Sequence, residues 1–172
     1  MKIDATSLAN DVRERLWGDR FPIDPVTICR KLGIQIFEAE LPPKVSGALM
    51  KERGKDPQII VHHEDSDNRK RFTAAHELGH FVSRLNNGAA DDEEYEYVDL
   101  RSPDSAAGMD PGEIFANQFA AALLMPADEL LRRHRDGLSA VSLAAYFGVS
   151  GEAIAFRLQN LRVSPTLSAA IG

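Results

Sequence analysis

At 172 residues, 44% hydrophobic and 27% charged, the chain can bury one ordinary globular core and is short for two. Its net charge of −6 argues against a globally basic nucleic-acid binder while leaving a local basic face open. A single cysteine, Cys29, excludes an internal disulfide framework and a thiolate-rich zinc site, so a metal would have to be held by His, Asp or Glu.

The N-terminal residues reach Asn10, Asp11, Arg13 and Glu14 without the uninterrupted apolar stretch of a secretory signal. The longest apolar run, Phe119 to Met125, is far shorter than the roughly 20 residues that span a bilayer, so a cytoplasmic protein without membrane insertion is expected. Leu8, Val12, Leu16 and Trp17 fall at helical spacing before Gly18 and predict a first amphipathic helix. After Pro22 and Pro25, the residues Val26, Ile28, Cys29 and Leu32 predict a short second helix, with Gly33 as its left-handed cap. Ile34–Phe37, Ser46–Met50 and Gln58–Val61 read as strands of a small, mostly antiparallel sheet. His62 and His63 sit side by side at the end of the third strand, where extended geometry would send them to opposite faces and prevent joint chelation.

Asp65, Ser66 and Asp67 are candidate caps for a helix whose apolar side carries Phe72, Ala75, Gly79 and Val82. Asn86 to Met109 shows little periodicity and reads as a long surface loop or flap, its acidic run Asp91–Glu94 a solvated face. Asp110-Pro111 opens a helix that is apolar nearly all round through Leu124 and stops near Pro126. Two short helices follow, Ser139 to Phe147 and Gly151 to Leu161.

Residues 76 to 80 read His-Glu-Leu-Gly-His. On a helix, side chains four apart lie one turn above each other on one face, so His76 and His80 can reach one metal. Glu77 is rotated about 100° from His76, close enough to touch a water at the metal but not to replace an imidazole, which suits a general base. A catalytic zinc takes three protein ligands and keeps one position open, so a third ligand must come from elsewhere. Glu113 is the candidate, but spacing leaves two readings open, because Asp110-x-x-Glu113 also fits a capping box. Asn117, one turn later, can either bond a ligand imidazole or be an ordinary helix residue.

The run Arg71-Phe72-Thr73-Ala74-Ala75-His76-Glu77-Leu78-Gly79-His80, followed by Glu113-x-x-Ala116-Asn117-x-Phe119-Ala120-Ala121-x-Leu123-Leu124-Met125-Pro126, resembles the ImmA/IrrE family of metallopeptidases. The likeness extends upstream to Val45-Ser46-Gly47 and downstream into the short helices, covering most of residues 5 to 162. It implies an α+β, zincin-like metallopeptidase fold, mainly helical, with the small sheet and a C-terminal helix pair. A metallopeptidase domain over 1–130 and a helix-turn-helix-like extension over 131–172 are expected.

The resemblance also implies Glu113 as third ligand of a Zn2+ ion bound by His76 and His80. It further implies a zinc-dependent endopeptidase in which metal-activated water, with Glu77 as general base, cleaves a helix-turn-helix repressor or antitoxin-like regulator. The rival readings are a non-proteolytic regulator or toxin–antitoxin component that binds a transcription factor or DNA around a structural or sensory zinc, and a DNA-binding stress regulator. Two strands, Ser46–Met50 and Gln58–Val61, are candidate edges for substrate addition. Tyr95, Tyr97 and His134 are candidate oxyanion stabilisers, each with a structural reading beside it.

Leu143 to Ser150 followed by Ala153, Ile154, Phe156, Arg157 and Leu158 resembles a helix-turn-helix turning at Gly148. DNA binding is not favoured, because the second helix offers few base-reading side chains, and Ala155 and Phe156 read as packing residues. Arg132, Arg133, Arg135, Arg157 and Arg162 leave a weak phosphate-facing surface open.

Overall fold

The computed structural model describes residues 2–101 and 110–162. Helix α1 (Ala5–Leu16) begins where Asp4 accepts the backbone N–H of Ser7, satisfying one of the donors that a first helical turn leaves open. Helix α2 (Pro25–Lys31) has Asp24 as its cap and Pro at its first position, and Gly33 beyond it adopts the left-handed φ of +77° that favours glycine. Strands β1 (Gln35–Ala39), β2 (Val45–Lys51) and β3 (Gln58–His62) then lead into α3 (Asp67–Asn86), capped by Ser66. Strand β4 (Tyr95–Leu100) precedes α4 (Pro111–Leu124), α5 (Ala127–Arg135), α6 (Ala140–Phe147) and α7 (Gly151–Asn160). Among the described residues the protein is thus α+β and mainly helical, with seven helices and four strands.

The sheet order is β1-β3-β2-β4: β1 runs parallel to β3, and β2 pairs antiparallel with both β3 and β4. Both strands expected to offer an edge, β2 and β3, are therefore interior, and among the described residues the edges are β1 and β4. The loop expected over Asn86 to Met109 contains β4, while 102–109 lie outside the described residues. In β4, Tyr95, Tyr97 and Asp99 alternate with the more exposed Glu96, Val98 and Leu100. The acidic residues on both sides of this alternation hid it from a hydrophobicity reading. Helix α5 was also not expected, because its nine residues Ala-Asp-Glu-Leu-Leu-Arg-Arg-His-Arg carry only a short apolar stripe.

Helix α3 lies over the sheet, against β2 and β3, and packs most extensively against α4, while α1 packs on α4 and also touches α3. The crossing is close because Gly79 lacks a side chain: a Cβ there would lie 3.0 Å from Ala116 Cα and 3.2 Å from Phe119 Cβ. Ala75, Leu78, Phe119, Leu123 and the sheet residues Leu49 and Ile59 are fully buried around it. The same apolar cluster continues through Leu130, Leu143, Phe147, Ile154 and Leu158. No single helix among the described residues is long and apolar enough to cross a membrane.

Candidate metal centre

Helix α3 presents His76, Glu77 and His80 inward, each at most 3% exposed. Three charged or titratable groups at that depth are unusual unless they are partnered or bind a ligand. His76 Nδ1 lies 2.9 Å from Asn117 Oδ1 on α4, an amide acceptor that holds the proton on Nδ1 and turns the lone pair of Nε2 into the site. His80 stacks on the Tyr97 ring of β4, with centroids 4.7 Å apart and planes 18° apart, which fixes its plane from the sheet side. Tyr97 is steadied in turn by the edge of Tyr95 and by Arg84, whose guanidinium lies over Tyr95 and pairs with Glu93.

Glu113 enters from the first turn of α4, where Asp110 is the cap and accepts the N–H of Gly112. Its two oxygens reach in opposite directions, Oε1 to 3.0 Å from His80 Nε2 and Oε2 to 3.2 Å from His76 Nε2. The approach to His76 lacks hydrogen-bond geometry, and His76 Nε2 has no hydrogen-bond partner among the described residues. With Nδ1 carrying the proton, an imidazole lone pair and a carboxylate oxygen face each other, an arrangement that a metal ion or a second ring proton completes. Ligand atoms 2.0–2.2 Å from a tetrahedral ion lie roughly 3.3–3.5 Å apart, close to the spacing seen here. His76, His80 and Glu113 thus fit a metal ion, since one donor atom from each lies within 4.8 Å of the others.

Glu77 is fully buried, and neither of its carboxylate oxygens has a hydrogen-bond partner among the described residues. Burial, reinforced by the nearby charges of Asp99 and Glu113, pushes its pKa up to about 8 despite the opposing pull of His76. Burial also pulls His80 down, whereas in His76 the Glu113, Asp99 and Glu77 carboxylates outweigh burial and raise the pKa. Glu113 is held below the usual carboxylate range, first by His76 and then by His80. The space at Glu77 exists because residue 47 is glycine: a Cβ there would sit 2.4 Å from Thr73 Cγ2 and 3.5 Å from Glu77 Oε1.

Sequence reasoning missed Asp99. It lies on β4 opposite Gly47, its Oδ2 3.9 Å from His76 Nε2, and it clusters with His76 and Glu77. No motif flags it, and only the pairing of β4 with β2 brings it to the site. Tyr97 and Tyr95 are near the centre, whereas His134 is buried on α5 and belongs to none of the ligand-type clusters. His62 ends β3 and His63 begins the turn that follows, as expected of a strand end and turn, with the two rings stacked 5.2 Å apart. In the C-terminal pair, Phe156 is 60% exposed rather than packed. Arg157 is buried, with Nε donating to Met125 O, which removes it from any phosphate-facing surface. Arg132 and Arg133 pair with Glu129.

A family model described as Peptidase_M78, IrrE N-terminal-like domain, matches residues 29–159. No curated protein matches the chain. A solved structure described as a Mycobacterium tuberculosis transcriptional regulator shares the fold, with a TM-score of 0.60 at 17% identity, over 90% of this chain and 46% of that one. The chain therefore spans less than half the length of that structure.

Proposed function

Because the chain belongs to the Peptidase_M78 family of IrrE N-terminal-like domains, we propose that it is a zinc-dependent endopeptidase that cleaves a regulatory protein, its metal held by His76, His80 and Glu113. The observation that carries this reading is the set of buried, unpartnered acceptors, His76 Nε2 and both Glu77 oxygens, beside a carboxylate that bridges two imidazoles. Two imidazoles and one carboxylate suit zinc, and three ligands leave a position open for chemistry. When bound, zinc would supply a Lewis acid that polarises the peptide carbonyl and acidifies a water.

Glu77 takes the proton from the attacking water and returns it to the amide nitrogen as the C–N bond breaks. Its burial suits both roles, since a carboxyl poised to titrate near neutrality can accept a proton and give it back. Asn117 keeps His76 in the tautomer that offers Nε2, and Tyr97 holds the ring of His80. The substrate lies along β4, the sheet edge that borders the centre through Tyr97 and Asp99, in place of the interior strands that the sequence suggested. A helix-turn-helix repressor or antitoxin-like regulator remains the substrate class that the family resemblance supports, with a cytoplasmic site of action.

The test is incubation of the purified protein and its Glu77→Gln variant with a helix-turn-helix repressor from the same organism, following cleavage by intact mass and metal content in parallel. Cleavage should fall by about 10²–10⁴ in the variant with one zinc per chain retained. Zinc bound by the wild type without cleavage of that regulator would instead favour a binding role, and absence of zinc would overturn the reading.

A further inference from the structure

Four side chains account for the ion and the base, and Asp99 is a fifth polar group turned into the same space. It does not join the His76, His80 and Glu113 triad; it clusters with His76 and Glu77, on the side where the reacting water and the scissile bond must sit. Its position is built rather than incidental. The Ser46 hydroxyl donates to Asp99 Oδ2 at 2.9 Å, β4 is anchored beyond it by Arg101 on Asp65, and Gly47 across the ladder keeps the space clear. The carboxylate is mostly buried, with 23% of its side chain exposed, and it faces a fully buried Glu77 that has no hydrogen-bond partner among the described residues.

Peptide hydrolysis creates a positive charge for which Glu77, once it has given up its proton, is the one acceptor among the four assigned residues. The carbonyl carbon gains a bond to the water oxygen, and the C–N bond breaks with its electron pair going to nitrogen. Nitrogen takes one water proton through Glu77 and the second from the new carboxylic acid, so the products are a carboxylate and an ammonium group. Beside a divalent cation that ammonium is repelled, and it needs an anionic acceptor that the ion does not use.

We propose that Asp99, held by Ser46, receives the leaving amine of the cleaved peptide: it accepts a hydrogen bond from the scissile nitrogen, orienting that nitrogen toward Glu77 and stabilising the ammonium product. Asp99 is then a catalytic residue that touches the leaving group, and it gives the site a preference for a free amine on the product side. This assignment rests on the peptidase reading.

The test uses the zinc-loaded full chain, with Asp99→Asn and Ser46→Ala variants, and two probes: the tripeptide amide Leu-Ala-Leu-NH2 with a free α-amine and the same peptide N-acetylated. Calorimetry should find the free amine bound roughly tenfold tighter by wild type, as expected for a charge-assisted hydrogen bond. The preference should vanish in Asp99→Asn with zinc stoichiometry unchanged, and shrink about two- to fivefold in Ser46→Ala, which keeps the charge but releases its hold. Equal or undetectable binding of the two probes by wild type overturns the proposal, as does a preference that survives in Asp99→Asn. Loss of zinc from Asp99→Asn would also overturn it, by assigning Asp99 to the ion. If Asp99→Asn fails to fold, an unchanged preference in Ser46→Ala decides against it. Zinc bound without an amine preference removes this assignment alone, whereas a wild type that binds no zinc removes the peptidase reading with it.

Discussion

The crossing of α3 and α4 and the C-terminal pair α6–α7 are both tightly packed, but they treat buried polar groups differently. Around the C-terminal pair, the polar groups that hold it answer to carbonyl oxygens: Arg157 Nε donates to Met125, Arg71 Nε to Gly148 and Asn68 Nδ2 to Val149. At the α3–α4 crossing, His76 Nε2 and both Glu77 oxygens are buried without hydrogen-bond partners among the described residues. Such a group costs about 1–3 kcal/mol, so several together persist where a ligand completes them. Arg13 Nε is also buried and unpartnered among the described residues, but the rest of its guanidinium is satisfied by Asp19, Glu14 and the Gly18 carbonyl. One region satisfies its polar groups from within the protein, and the other leaves a set that could hold a metal ion.

The largest test of that contrast is Phe147→Ala. Phe147 is fully buried and meets Phe21 and Tyr146 edge to face, so its removal should cost about 3–5 kcal/mol by chemical denaturation. Zinc stoichiometry of the folded protein should stay at one; a fall would show that the two regions are not separable.

Glu77→Gln should act in the opposite direction on metal-stripped protein. A carboxyl whose folded pKa is raised binds more protons folded than unfolded, so its contribution to stability falls as pH rises from the unfolded value near 4.5 through about 8. The substitution should therefore stabilise the metal-free chain by about 2–4 kcal/mol at pH 8 and by little at pH 5. Melting curves at the two pH values check this, and an equal effect at both would mean that Glu77 is not held in an apolar setting.

Gly79→Ala should be smaller in stability, about 1–3 kcal/mol, but sharper in function. Its new Cβ would press on the Ala116 backbone and push α4, with Glu113 and Asn117, away from the histidines. Zinc affinity measured by chelator competition should drop more than stability does, and the reverse order would remove the crossing from the metal argument.

Helical periodicity around His76–His80 and the Asp110-Pro111 start made α3 and α4 readable, because capping and a four-residue spacing act locally. Glu113 could not be settled by spacing, since ligation and capping ask for the same residue at the same place. Strand β4 was missed because its alternation is mixed with acidic residues, and the sheet edges were misassigned because pairing order is a non-local property. Arg157 was misread for a related reason: a basic residue reads as surface until a neighbouring carbonyl claims it.

The sequence alone determined six of the seven described helices, the paired imidazoles and the glutamate beside them, since each depends on residues within one or two turns. Only the tertiary structure decided that Asn117 fixes the His76 tautomer, that Tyr97 braces His80, and that Asp99 stands beside Glu77. Those contacts join residues from 17 to 41 positions apart in the chain, brought together by the close helix crossing that Gly79 permits and by the β2–β4 ladder, and no local pattern encodes either.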